Sequence, residues 1–327
     1  MQDKAIEAYA VAVAAYQKGD IPKAIKFWKK VINNKVIEAK IKGKAYLGLG
    51  FCYSKKGKFN VALNAHKSAL IIFQKLNNKK SQAETLGVMG GLYFRNNFIK
   101  ESLTAYESAL YLAKNLKNKE MEADILGDIG SVFDYMDKYN EAIDIFTRSL
   151  KIYRKIGNHK SKRGEARALY DLGLVLYHAN KLGEARSNLE KALRLMKKNR
   201  DKKGEANCHT TLGDIYLEQG QIEIAEKYYI RAQKYFQTHN VVYGIINIQI
   251  GLAKIFLRKE DINSAKKKFE YALELAINAK YVKLMASTLL YLSEIHNKLG
   301  NTKEAKSYKT KAQKAIKELG IKIENKT

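Results

Sequence analysis

LGLGFCYSKKGKFNVAL, at residues 47–63, decides how this chain is read, because the phrase comes back. It returns as LGDIGSVFDYMDKYNEAI at 126–143 and as LGDIYLEQGQIEIAEKYY at 212–229. A small residue in its second half falls at Ala24, Ala62, Ser102, Ala142, Ala185, Ala225, Ala265 and Ala305, at spacings of 38, 40, 40, 43, 40, 40 and 40. Self-similarity at this period marks a stacked solenoid rather than a string of separate globular domains. Such a stack buries its core between neighbouring repeats and leaves one long surface free. Its default activity is holding another molecule.

Composition agrees. A single proline in 327 residues, with abundant Ala, Leu, Lys and Glu, predicts a chain that is almost wholly helical. The longest apolar run, AIEAYAVAVAAY at 5–16, is far short of the ~20 residues a membrane span needs. No basic segment precedes it and no small-residue cleavage site follows it, so it does not read as a signal peptide. A cytoplasmic location is expected. Cys52 and Cys208 lie four repeats apart, too far for the ~5.5 Å Cα separation of a disulfide, and read as free, buried thiols.

One repeat shows the construction. In residues 43–55 a packed stripe of Ala45, Leu49 and Cys52 predicts helix A, with Gly50 small enough for close approach of its partner. Gly57 supplies the left-handed turn. Ala62, Leu63, Ala69, Leu70 and Phe73 then predict helix B over 60–76, ended by Asn77-Asn78, a place taken later by Gly157-Asn158 and His239-Asn240.

Leu49-Gly50-Tyr53-Gly57-Ala62-Ala69 and Leu212-Gly213-Tyr216-Gly220-Ala225-Tyr229-Ala232 resemble the tetratricopeptide repeat. Leu172-Gly173-Ala185-Ala192 and Ile129-Gly130-Ala142-Phe146 match in part, while Ala12, Ala253 and Ser293 replace the helix-A glycine. The family's usual repeat is 34 residues and often ends in proline. This chain has 40 and no such proline, which resembles the long-repeat branch of kinesin light chains, Pins-type spindle scaffolds and bacterial peptide-sensing regulators, and predicts longer B helices. The resemblance implies an all-α, right-handed superhelical solenoid of eight helix-turn-helix repeats over residues 1–320, with a tail at 321–327. The repeats fall near 4–34, 43–77, 83–117, 123–157, 166–199, 206–239, 246–279 and 286–319. Three extra residues near His159–Arg163 predict a local change of stacking.

Catalytic chemistry is not indicated. Gly50 to Lys58 lacks the spacing, the Ser or Thr and the preceding strand of a phosphate loop. No two of the six histidines stand at i, i+3 or i, i+4, so no metal site is expected. His66 and His296 take the places of packing aromatics and predict hydrogen-bonded core histidines. No cofactor and no enzymatic activity are expected.

Charge is more informative. In a tetratricopeptide stack the inner wall is lined by helix A. The resemblance places Asp124, Asp128, Asp171, Asp214 and Glu218 there, with Tyr135, Arg167, His178 and Asn207 as hydrogen-bonding neighbours. An acidic centre in a chain of formal charge +27 predicts a non-catalytic scaffold that cradles a basic or extended peptide segment of a partner protein. The family's Lys/Asn clamp for acidic C-termini is not matched by any three consecutive repeats. The positive excess sits between one repeat and the next, at Lys160, Lys162, Arg163, Lys197, Lys198, Lys202 and Lys203. The alternative function is therefore electrostatic binding of nucleic acid or an anionic surface along that stripe.

The two ends differ. In the last repeat Lys303, Lys306, Lys309, Lys311, Lys314 and Lys317 surround Ala305, Ala312, Ala315 and Leu319, as a polar cap should. In the first helix Tyr9, Val13 and Tyr16 lie off the packed stripe of Ala8, Ala12 and Ala15. That apolar surface predicts self-association or cover by another segment.

Overall fold

Helix-forming stretches of even length, separated by single left-handed residues, produce sixteen α-helices and no strand among the residues described. The computed structural model describes residues 2–158 and 161–318. The helices run α1 Gln2–Gln17, α2 Ile21–Asn33, α3 Ala39–Lys55, α4 Phe59–Lys75, α5 Lys79–Arg95, α6 Ile99–Asn115, α7 Lys119–Tyr135 and α8 Tyr139–Ile156. They continue as α9 Ser161–His178, α10 Leu182–Lys198, α11 Lys202–Glu218, α12 Ile222–Thr238, α13 Val242–Arg258, α14 Ile262–Asn278, α15 Val282–Lys298 and α16 Thr302–Glu318. Odd helices are the A helices and even ones the B helices. The chain is an all-α repeat solenoid.

The forty-residue period is not made by longer B helices alone. In the second repeat α3 and α4 are each 17 residues long, and α3 starts four residues before the predicted Gly43. The cause lies in the B-to-A junctions. After a left-handed residue at Asn77, Lys117, Gly157 or Arg200 comes a polar cap that restarts the chain at once. Asn78 accepts from the Ser81 amide, Asn118 from Met121, Asn158 from Ser161 and Asp201 from Gly204, at 2.7–3.1 Å. A side-chain acceptor three residues ahead satisfies an otherwise orphaned amide, so the new helix begins immediately. Segments read as loops are thereby first turns of A helices. His159 and Lys160, on which the change of stacking was expected, lie outside the described residues, as do Leu319 and the tail.

The recurring small residue is the contact point within each hairpin. Ala24, Ala62, Ala142, Ala185, Ala225 and Ala265 are fully buried. Ser102 is equally buried and donates its hydroxyl to the Gly90 carbonyl at 2.9 Å, so the one polar member of the row is satisfied. Larger side chains at these positions would force the helices apart. Four residues later a bulky side chain follows: Trp28, His66, Tyr106, Phe146, Leu189, Tyr229 or Phe269. The helix-A glycine exists for this side chain more than for backbone approach. A Cβ on Gly50 would lie 2.3 Å from the His66 ring, one on Gly90 2.8 Å from Tyr106, and one on Gly213 2.8 Å from Tyr229. Cys52 and Cys208 are free and buried, as expected.

The described residues fall into two compact units. One holds residues up to Phe133 with Lys151–Ile156; the other holds Asp134–Leu150 with the residues from Gly157 on.

Candidate functional site

In the second unit the A helices bring an acid, a base and several tyrosines together. Tyr229 of α12 occupies a slot between two glycines. A Cβ on Gly213 would lie 2.8 Å from its ring, and one on Gly251 of the next A helix 2.5 Å away. Held there and fully buried, Tyr229 donates its hydroxyl to Asp214 Oδ1 at 2.7 Å. Burial pushes the Asp214 carboxyl up to about 6, even though Lys254, the Tyr229 hydroxyl and His178 favour its charged form. Lys254 lies half-buried beside it. Burial pulls its ammonium down, but Tyr291, Asp214 and Glu218 more than offset this, and its pKa ends above the usual lysine value. The Lys254 ammonium stands 5.4 Å over the Tyr291 ring, which stacks on Phe269 at 4.9 Å. A cavity of about 170 Å³ opens here between Glu218, Lys254, Arg258 and Tyr291, with Leu217 and Leu257 as its apolar wall.

The same face carries pairs joined across repeats. His178 Nδ1 lies 2.8 Å from Asp134 Oδ1, and Lys283 Nζ stands 5.1 Å over the Tyr135 ring. Residues four repeats apart in sequence thus meet, so within this unit the A-helix face curves round on itself. Arg167 pairs with Asp171 at 3.6 Å along α9, and the Asn207 carbonyl accepts from Thr211. Burial, and the nearby Asp214 and Glu218, hold the Tyr177 phenol protonated well above the usual range.

The nine predicted residues are therefore placed as follows. Asp171, His178, Asp214 and Glu218 stand on one face of the second unit with Tyr135, Arg167 and Asn207. Asp124 and Asp128 belong to the first unit. Most of the predicted carboxylates have partners within the chain. Asp124 accepts from the Tyr153 hydroxyl, Asp171 faces Arg167, and Asp214 is matched by Tyr229 and Lys254. Glu218 remains exposed. Asp134, Tyr177 and Tyr229 were missed. The i, i+15 spacing of Asp214 and Tyr229, on paired helices either side of a turn glycine, was the available signal.

The basic stripe changes character too. Lys162 and Lys202 sit in first turns of A helices, ion-paired with Glu165 at 2.7 Å and Glu205 at 2.9 Å. Lys197 and Lys198 end α10, where cations complement the helix dipole. Arg163 and Lys203 are exposed, and Lys160 lies outside the described residues. At the N-terminus Tyr9 packs edge-on against Trp28 at 5.0 Å, and Tyr16 lies 6.5 Å from Phe51 with the Lys55 ammonium 4.5 Å over its ring. Tyr9, Val13 and Tyr16 are half-buried against the chain's own first core, so the apolar face expected to need a partner is mostly covered from within.

The buried histidines also depart from expectation. His66 is 1% exposed and its Nδ1 has no hydrogen-bond partner among the described residues, nor has either ring nitrogen of His296. Burial, with Arg95 nearby, lowers His66 to about 4, and burial with Arg231 and Lys197 does the same for His209. Among the described residues no group of three His, Cys, Asp or Glu side chains could hold a metal, and no helix is long and apolar enough to cross a membrane.

A tetratricopeptide repeat profile matches residues 81–155 and 164–238, and a second covers 128–199. No functionally curated protein matches the sequence. Among solved structures, a Rap protein complexed with competence and sporulation factor aligns with TM-score 0.72 and 16% identity, over 91% of this chain and 80% of that one. Aspartyl phosphate phosphatase F from Bacillus subtilis aligns with TM-score 0.69 and 13% identity, over 94% and 78%. The Rap conjugation gene regulator of plasmid pLS20, in complex with the Phr* peptide, gives 0.63 and 17%, over 84% and 74%. At these identities the likeness is one of fold. With its paired helices and recurring alanine row, the chain belongs to the tetratricopeptide repeat family, as a member with long, forty-residue repeats.

Proposed function

We propose that this protein is a non-catalytic scaffold whose A-helix face holds a peptide segment of a partner, with basic groups of that segment taken up around Asp214 and Glu218. The observation that carries the reading is the state of Asp214. Its carboxyl is half-buried, drawn up to about 6, and set beside an exposed Glu218 and an open cavity. An incoming ammonium or guanidinium would stabilise that charge more than water does. Two structures of similar fold are complexes with competence and sporulation factor and with the Phr* peptide, which supports an extended segment as the ligand.

A random peptide library panned on the immobilised protein tests this. Enriched sequences should carry an excess of Lys and Arg, and the excess should vanish on Glu218→Lys. Asp171→Asn should weaken the selected peptides about tenfold, the loss of one charged contact. Enrichment without basic residues would move the site elsewhere. Charge reversal at Asp214 is a poor probe, since it strands the buried Tyr229 hydroxyl.

A further inference from the structure

α5 contains three glycines, and among the described residues one of them faces open space. A Cβ on Gly90 would lie 2.8 Å from the Tyr106 ring. One on Gly91 would lie 3.3 Å from the Tyr106 hydroxyl and 3.4 Å from an Arg95 guanidinium nitrogen. One on Gly87 would meet nothing within 4 Å. A mid-helix glycine weakens a helix relative to alanine, and it is otherwise found where another group must approach the backbone closely.

The space above it is a cavity of about 460 Å³ within the first unit. Phe51, Val88, Met121 and Ile125 make its apolar wall, and Glu84, Arg95 and Asp128 its charged rim. Glu84, Gly87, Gly91 and Arg95 follow one another along a single face of α5, which rises about 16 Å between the two charged ends. Arg95 is exposed and forms no ion pair among the described residues. Its guanidinium and the Tyr106 hydroxyl both lie over the bare backbone of Gly91, so a cation and a hydroxyl border one place.

We propose that this cavity is a peptide subsite of its own chemistry. It takes a bulky apolar side chain against Gly87, with the carboxylate of the adjoining residue held at Arg95 and Tyr106. A guanidinium beside a hydroxyl suits a carboxylate, and a mostly apolar pocket with a few convergent polar groups is the usual form of a small recognition site. The assignment rests on the reading of the chain as a peptide scaffold, but not on where that reading places the basic groups.

The test uses acetyl-Lys-Phe-Glu-amide, with acetyl-Lys-Gly-Glu-amide and acetyl-Lys-Phe-Gln-amide as controls, titrated into the full chain by saturation-transfer NMR. The Phe-Glu peptide should bind saturably and about tenfold more tightly than either control. Gly87→Leu should abolish that binding with an unchanged or higher melting temperature, because the new side chain fills open space. Arg95→Gln should keep apolar binding but lose the preference for Glu over Gln. No saturable binding, or equal binding by Gly87→Leu, would overturn the subsite. If library panning still selects basic peptides in that event, the scaffold reading survives and this assignment alone is wrong.

Discussion

Asn77, Asn97, Asn180 and Asn240 hold left-handed φ values at helix ends, where asparagine is tolerated. Lys117, Arg200, Glu260 and Lys280 hold the same conformation with no such tolerance. A left-handed residue with a Cβ costs about 1–2 kcal/mol, and glycine gives part of that back through its freer unfolded chain. Lys117→Gly or Lys280→Gly should therefore stabilise by about 0.5–1 kcal/mol, read as a higher urea midpoint at unchanged slope. A second residue-scale effect comes from pH. His66 and His209 titrate near 4 in the fold and near 6.5 when unfolded, so the unfolded chain takes up protons first. Their contribution is intact above pH 6.5 and is lost as pH falls towards 4, by up to about 1.4 kcal/mol per unit for each ring. Asp214 runs the other way. Raised to about 6, its burial is harmless below pH 4 and costs stability as pH rises through 6. Urea midpoints from pH 7 to 4.5 should fall more steeply for the wild type than for His66→Phe/His209→Leu. Parallel curves would mean both rings protonate freely within the fold.

At the scale of the helix, one substitution should act with opposite signs on two A-helix glycines, Gly87 of α5 and Gly251 of α13. Gly87→Ala adds a methyl to open space and should stabilise α5 by about 1 kcal/mol. Gly251→Ala puts that methyl 2.5 Å from the ring of fully buried Tyr229, and should destabilise by about 1–3 kcal/mol. Thermal melts of the two variants decide it, and a shared sign would remove the distinction between filled and open glycines. The helices were legible in outline because Ala, Leu and aromatic spacing reports which stripe is buried. Their starts were misplaced, because Lys79-Lys80 and Lys202-Lys203 look like loop and only the Asn78 and Asp201 caps reveal a helix already begun.

For the whole molecule the expected behaviour is a pH-dependent scaffold. A basic ligand favours the ionised form of Asp214, so binding must expel its proton below pH 6. Affinity for library-selected basic peptides should fall several-fold between pH 7 and 5, and Glu218→Lys should remove both binding and slope. A flat profile would place those peptides away from Asp214. The repeat was readable without any coordinates. A forty-residue period, an alanine row and turn residues at helix ends are local signals, and every repeat restates them, so the all-α solenoid followed from pattern alone. Which groups partner the charges on the A-helix face came from the three-dimensional packing. Tyr229 reaches Asp214 from the partner helix, Lys254 from the next repeat, and Lys283 meets Tyr135 from four repeats away. The last two meetings depend on how successive repeats rotate against one another. Compensation between repeats is a property of that rotation, and no single repeat encodes it.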